Sequence, residues 1–117
     1  MAATAVIIDD HDAFRASARR LLQVSGFDVV GEAADGVEGL VLALELEPEL
    51  VLLDIALPRM SGFDVARHLA GTRSRVVLIS SRQSDDFGRR VRDSGAAGFV
   101  SKDDLSGEAV LELLRGG

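Results

Sequence analysis

The sequence has no cysteine, no long hydrophobic run and fewer basic than acidic side chains. The absence of cysteine excludes disulfide bonds, thiol nucleophiles and zinc sites built on thiolates. No apolar run approaches the ~20 residues of a membrane-spanning helix, and no signal-peptide pattern opens the chain. With 13 basic and 19 acidic side chains the formal charge is -6, which argues against nucleic-acid binding by this chain itself. We therefore expect a soluble, cytoplasmic domain.

The length of 117 residues predicts one domain covering residues 1–117. Hydrophobic residues make up 47% of the chain and fall in patterned blocks, which argues against disorder. Surface scaling indicates that about two-thirds of the unfolded surface is buried on folding, enough for a core without cross-links. The chain ends on Arg115-Gly116-Gly117 directly after a predicted helix, where a linker to another domain could begin.

Five short segments predict β-strands. Three are continuous apolar runs, the pattern of strands buried on both faces of a parallel sheet: residues 5–8, 50–53 and 76–79. Two weaker candidates are residues 27–31, mixed enough for a sheet edge, and residues 98–101.

Helical periodicity separates these strands. Apolar residues recur on one face around residues 14–22 and 37–44, and further helices are predicted over 62–70, 84–94 and roughly 104–115. Asp12, Asp35 and Ser61 are candidate helix caps. Strict alternation of strand and helix predicts a doubly wound α/β fold with helices on both faces of a parallel sheet. Fold habit favours the flavodoxin-like strand order 2-1-3-4-5.

Polar side chains follow four of the predicted strands, where ligands bind in open α/β sheets: Asp9, Asp10, Asp54, Ser80 and Lys102. Two carboxylates 4 Å apart repel by about 4 kcal/mol at an effective dielectric constant of 20. A site of this kind relieves the repulsion by raising a pKa or by binding a hard cation, and Mg2+ suits carboxylate, water and phosphate oxygens. Phosphoryl transfer with a carboxylate acceptor is the natural reaction class. Lys102, the only lysine, would supply a compact point charge.

Four segments carry a resemblance to a known family. They are residues 6–11 (Val-Ile-Ile-Asp-Asp-His), 52–62 (Leu-Leu-Asp-Ile-Ala-Leu-Pro-Arg-Met-Ser-Gly), 77–81 (Val-Leu-Ile-Ser-Ser) and 95–102 (Gly-Ala-Ala-Gly-Phe-Val-Ser-Lys). In order and spacing they resemble the receiver domain of a bacterial two-component response regulator, and the resemblance covers essentially the whole chain.

The resemblance implies a phosphoacceptor site. Asp54 would accept a phosphoryl group from a histidine kinase. Asp10 and Asp54 would bind Mg2+ directly, Asp9 would bind it through water, and the backbone carbonyl of Ala56 would complete the protein ligands. Lys102 would hold a phosphoryl oxygen. The domain would be a signalling switch and not an enzyme beyond slow self-phosphorylation and self-dephosphorylation.

The resemblance also implies a conformational response. Ser80 would move to bond the phosphoryl group and Phe99 would follow inward as the aromatic switch. The face of the fourth helix, fifth strand and fifth helix would then dimerise or meet partners. Asp103 stands where many receivers have proline, a variant similar to regulators with a helix-turn-helix output domain. We therefore expect transcriptional output through a DNA-binding domain absent from this chain.

Other interpretations remain open. One is a stand-alone receiver that shuttles phosphate. Another is an aspartate-nucleophile phosphatase of the haloacid dehalogenase type, with Asp10 as nucleophile and Asp12 as acid-base, which leaves Asp54 without a role. A nucleotide or flavin module is disfavoured because the loop after the first strand is acidic and repels phosphate. His11 and His68 have no partner pattern and are expected on the surface.

Overall fold

The computed structural model describes residues 3–81 and 87–116. Within these residues strands and helices alternate along the chain. The strands are β1 (Ala3–Ile8), β2 (Phe27–Ala33), β3 (Leu50–Asp54), β4 (Arg75–Ser80) and β5 (Gly98–Ser101). The helices are α1 (Asp12–Val24), α2 (Gly36–Leu46), α3 (Gly62–Leu69), α4 (Gly88–Ser94) and α5 (Gly107–Gly116). Each predicted strand is confirmed, with ends moved by up to two residues.

The strands form one parallel sheet in the order β2-β1-β3-β4-β5, as predicted. Ile8 at the end of β1 pairs with Leu53, and Leu53 pairs with Leu78 of β4. Because these strands are in register, their carboxyl ends finish together at one edge of the sheet. Among the described residues no helix has the length and apolar character to cross a bilayer.

The sheet has a separate core on each face, which confirms helices on both sides. One core joins alternate sheet residues such as Ile7 and Leu52 to Ala18 and Leu22 of α1 and Val110 of α5. The other joins the intervening residues to α2, α3 and α4, with these side chains buried: Val6, Ile8, Leu53, Leu78, Ala43, Phe63 and Leu69. β3 is buried along its whole length, which explains its unbroken apolar pattern.

Two of the three predicted caps are confirmed. The Asp35 carboxylate accepts from the backbone N–H of Glu38 at 2.8 Å, and the Ser61 hydroxyl accepts from that of Asp64 at 3.2 Å. The Asp12 prediction is wrong, because His11 occupies the N-cap position and Asp12 is already helical. In the turn after β1, the His11 N–H donates to the Asp9 carboxylate at 2.8 Å.

The last two helices differ from prediction in their beginnings. α5 begins at Gly107 and not near 104, because residues 102–104 form a 3-10 turn and Leu105 is extended. The Ser106 hydroxyl accepts from the N–H of Ala109 at 3.0 Å and so caps the helix after that turn. Residues 84–86 of the predicted fourth helix lie outside the described residues. Its described part ends at Gly95, whose φ of 80° suits a glycine stop.

Candidate functional site

Three carboxylates meet at the carboxyl edge of the sheet. Asp9 directly follows β1 and is fully buried, while Asp54 ends β3 and is 3% exposed. The Asp10 side chain is 34% exposed. Ligand atoms of these residues and of His11 all lie within 4.8 Å of one another. Adjacent parallel strands bring these side chains together from positions 45 residues apart in sequence, as the strand-end argument predicts.

The buried Asp9 carboxylate is only partly satisfied by protein groups. Its Oδ1 accepts from the His11 backbone N–H at 2.8 Å. Its Oδ2 is buried and accepts no hydrogen bond from the described residues. The Lys102 ammonium lies 2.7 Å from that oxygen as an ion pair. A buried anionic oxygen of this kind suits a bound cation and its water shell.

Lys102 reaches the site from the turn after β5. Its ammonium lies 3.5 Å from Oδ2 of Asp54, and its side chain is 15% exposed. The same ammonium stands over the Phe14 ring of α1, 4.3 Å from the ring centroid. A cation between two carboxylates and an aromatic face is well placed to meet a further anionic group at Asp54.

Burial raises the pKa of Asp54 to about 6, and the neighbouring Asp9 charge acts in the same direction. Lys102 and the Ala56 backbone N–H, which lies 3.4 Å from Oδ1, act against this rise without cancelling it. Near pH 7 the carboxylate is therefore mainly ionised, but at a free-energy cost that a bound cation would reduce.

The chain turns sharply after Asp54. A Cβ atom at Gly62 would lie 2.2 Å from the Asp54 carbonyl oxygen, so only glycine permits this approach. The Gly62 N–H donates to the Ile55 carbonyl at 2.8 Å and closes the loop between β3 and α3. This loop presents the backbone of Ala56, whose predicted part in metal binding stays a prediction.

Ser80 and Phe99 lie on the neighbouring strands. Ser80 ends β4 and is 4% exposed, one position beyond Ile79, which pairs with Asp54. Phe99 of β5 is half-buried, and its ring centroid lies 5.9 Å from that of Phe87. Their roles in switching stay predictions.

Sequence reasoning missed the contribution of α1. His11 is exposed as predicted, and its Nδ1 lies 3.1 Å from carboxylate oxygens of both Asp9 and Asp10, contacts that no sequence pattern indicated. Phe14 and Arg15 also reach the site. Their position in the sequence could have indicated this, because both lie in the first turn of the helix that directly follows Asp9 and Asp10.

Comparison with known proteins decides the family. A family model described as the response regulator receiver domain matches residues 5–114. This chain belongs to the response regulator receiver family. Receiver domains are signalling domains, so the match confirms the receiver prediction and favours it over the phosphatase alternative.

Two curated relatives are regulators of about twice this length. The virulence-factor regulator BvgA of Bordetella pertussis is 42% identical over 99 residues, which cover 83% of this chain and 47% of that protein. The response regulator GacA of Pseudomonas aeruginosa is 36% identical over 100 residues, again 83% and 47%. This receiver chain therefore spans about half the length of the curated relatives it matches.

A solved receiver has the same fold. The signal receiver domain of the response regulator NarL from Mycobacterium tuberculosis superposes with a TM-score of 0.89 at 34% identity. The alignment covers 99% of this chain and 98% of that one. The predicted flavodoxin-like fold is confirmed.

Proposed function

We propose that this receiver is a phosphorylation switch in which Asp54 accepts a phosphoryl group from a histidine kinase. The observation that carries this proposal is the surroundings of Asp54. It is a buried carboxylate at a strand end, 3.5 Å from an ammonium and grouped with two further carboxylates. A nucleophilic oxygen beside fixed positive charge, and near groups that bind a cation, is what phosphoryl transfer to a carboxylate requires.

The carboxylates suit Mg2+, because carboxylate oxygens are its preferred protein ligands, and the buried Oδ2 of Asp9, whose ion pair with Lys102 is 2.7 Å long, has a further lone pair for a water of its shell. Asp10 and Asp54 would bind the ion directly, Asp9 through water, and the Ala56 carbonyl would complete the protein ligands. When bound, the ion offsets charge on the phosphoryl oxygens.

The protein's own groups carry the transfer. One oxygen of ionised Asp54 attacks phosphorus as the bond to the kinase histidine nitrogen breaks, and the electron pair of that bond stays with the departing imidazole, which takes a proton. Lys102 binds a phosphoryl oxygen, and its contact with Asp9 keeps it at the site before the donor arrives. The product is an acyl phosphate, and no separate substrate is turned over.

Ser80 and Phe99 transmit the effect of phosphorylation from Asp54 to the surface of the domain. Ser80 would bond the phosphoryl group and Phe99 would follow inward against Phe87, altering the face of α4, β5 and α5 that meets a second copy or another partner. BvgA and GacA are twice as long, which favours transcriptional output through a DNA-binding domain outside this chain over a stand-alone shuttle. Such a regulator acts in the cytoplasm.

Mass spectrometry after incubation with Mg2+ and acetyl phosphate tests the acceptor. The wild-type chain should gain one phosphate, Asp54→Asn should gain none, and Asp28→Asn, an exposed acid in β2, should behave as wild type. Full phosphate uptake by Asp54→Asn would refute the assignment, and phosphate located on Asp10 would instead support the phosphatase alternative.

Ser80→Ala tests the switch. We expect phosphate uptake to persist while the chemical-shift changes of β5 on phosphorylation become smaller, because the hydroxyl that joins phosphate to strand is missing. A normal response in that variant would show that Ser80 has no such role.

A further inference from the structure

We propose that Arg15, oriented by Glu32, is a positioning residue that holds the peptide bond between Asp9 and Asp10 in the orientation needed for cation binding. The inference rests on the proposed function, since it assigns these two acids to the ion. It concerns a side chain that none of the predicted roles uses.

The Arg15 guanidinium is engaged on all three nitrogens. Its Nη1 donates to the Asp9 carbonyl at 2.5 Å and its Nε donates to Oε1 of Glu32 at 3.2 Å. Its Nη2 contacts the Asp12 carboxylate. The side chain is 16% exposed, although it lies in the first turn of a surface helix. A planar, multi-donor cation in this arrangement has little freedom to move.

Glu32 is itself held in place. Its second oxygen accepts from Nε of Arg19 at 2.6 Å, one turn further along α1. Two arginines of α1 thus donate to the one carboxylate of Glu32 near the end of β2. These two bonds fix α1 against the sheet on this side. Arg15 therefore has a defined anchor from which to reach Asp9.

Both backbone groups of Asp9 are tied to the end of β2. Its N–H donates to the Ala33 carbonyl at 3.0 Å, and its carbonyl is held by Arg15, which Glu32 orients. The plane of the next peptide bond is set by these contacts. Asp10 is the exposed acid of the site, and its side chain contacts the His11 ring, which is itself 66% exposed. The backbone therefore decides where the Asp10 carboxylate points.

The Arg15 guanidinium also brings positive charge to the acids. Its effect on Mg2+ affinity through charge must therefore be separated from its effect through the orientation of the Asp9 backbone. Lysine at this position keeps the charge. A single ammonium on a flexible side chain cannot donate to the Glu32 carboxylate and the Asp9 carbonyl in the fixed geometry of the guanidinium. The fold should tolerate the change, because α1 is anchored to the core by Ala18 and Leu22 on its apolar face. Arg15→Lys therefore isolates the positioning effect.

The test titrates the chain with Mg2+ alone, by calorimetry and by following the backbone amide signals of Asp10 and His11. Arg15→Gln should weaken Mg2+ binding about tenfold, as expected when a group that orients a metal ligand is lost. Glu32→Gln should also weaken Mg2+ binding, and Arg15→Lys should lose about as much Mg2+ affinity as Arg15→Gln. Arg20→Gln, an exposed arginine of the same helix, should bind as wild type.

Phosphorylation kinetics give a readout that a merely structural role would not move. At saturating Mg2+ the rate of Arg15→Gln with acetyl phosphate should return close to that of wild type, because Asp54 and Lys102 are unchanged. The loss should appear only in the Mg2+ concentration needed for half the maximal rate.

Several outcomes would overturn the inference. They are unchanged Mg2+ affinity in Arg15→Gln, equal losses in Arg20→Gln, or wild-type affinity in Arg15→Lys, which would assign the effect to charge. If Arg15→Gln fails to fold, Glu32→Gln decides in its place. Absence of Mg2+ binding in the wild type would refute the proposed function instead. The ion-free amide signals of Asp10 and His11 would still test positioning, which is refuted if Arg15→Lys leaves them unmoved.

Discussion

Two regions of this receiver contribute to its stability in opposite directions. The acidic corner (Asp9, Asp10, Asp54 and Lys102) consists of charged side chains, of which Asp10 is exposed and the other three are largely buried. The aromatic side (Phe63, Phe87 and Phe99) consists of rings with centroid separations of 5.8 and 5.9 Å beneath α3 and α4. The corner gathers like charges that oppose folding, whereas the rings bury apolar surface that favours it.

The difference teaches that the proposed Mg2+ site and the aromatic packing lie in separate parts of the molecule. Asp54 has a raised pKa because burial, and next the neighbouring Asp9 charge, disfavour its ionised form. Phe63 is fully buried and belongs to the core on the α2, α3 and α4 face. Mutations on the two sides should therefore have opposite effects on stability and different effects on Mg2+ binding.

The largest effect is expected for Phe63→Ala. Removing a fully buried ring that contacts Phe87 should lower the free energy of unfolding by about 3–5 kcal/mol, measured by urea denaturation. Mg2+ affinity of the folded fraction should change little, because the ring lies outside the acidic corner. Phe63→Leu, which keeps most of the apolar volume, should cost much less. A large loss of Mg2+ affinity in stably folded Phe63→Leu would contradict the separation of the two regions.

A smaller effect of opposite sign is expected for Asp54→Asn. The Asp54 pKa is about 6 in the folded chain against an ordinary value of 3.8, so the stability that its protonated form confers is present below about pH 4 and is lost as pH rises through 6. Asparagine does not ionise. The variant should therefore be more stable than wild type at pH 7 without Mg2+, by on the order of 1 kcal/mol after allowance for solvent screening.

Urea denaturation at pH 7 and pH 4 measures this difference, which should vanish at pH 4. Asp28→Asn controls for the loss of one negative charge from an acidic chain. Destabilisation by Asp54→Asn at pH 7 would mean that the corner favours folding, and the comparison would fail.

The smallest effect concerns the exposed edge of the aromatic side. The Arg90 guanidinium lies 4.2 Å from the centroid of the Phe63 ring. Its replacement in Arg90→Gln should lower stability by about 0.5 kcal/mol, the usual size of an exposed cation–π contact. Arg89→Gln, the neighbouring exposed arginine, is the matched control and should be close to neutral. Equal effects of the two would show that net charge and not the ring contact is responsible.

Much of the fold was predictable because its signals are local. Strands buried on both faces must be apolar throughout, so the apolar runs at residues 5–8, 50–53 and 76–79 are enough to predict three of the strands. Helix beginnings were less predictable at both ends of the chain. Asp12 was expected to cap α1 but pairs with Arg15, and α5 begins after a 3-10 turn that periodicity does not signal.

The candidate site was predictable in its members but not in its contacts. Strand-end position is enough to bring Asp9, Asp54 and Lys102 to one edge, because parallel neighbours in register end together. Two other contacts follow from no comparable sequence rule: the Lys102 ammonium lies over the Phe14 ring, and Arg15 donates to the Asp9 carbonyl. They depend on where α1 packs against the sheet, which contacts between residues distant in sequence decide.

Local patterning by itself determined the alternation of elements, the buried strands and the residues at the strand ends. Tertiary structure decided which charges share a solvent-poor space and which groups orient them. The physical reason is range: apolar periodicity and capping act between residues close in sequence. The pKa of Asp54 and the orientation of the Asp9 backbone depend on atoms that only the folded chain brings within a few ångströms.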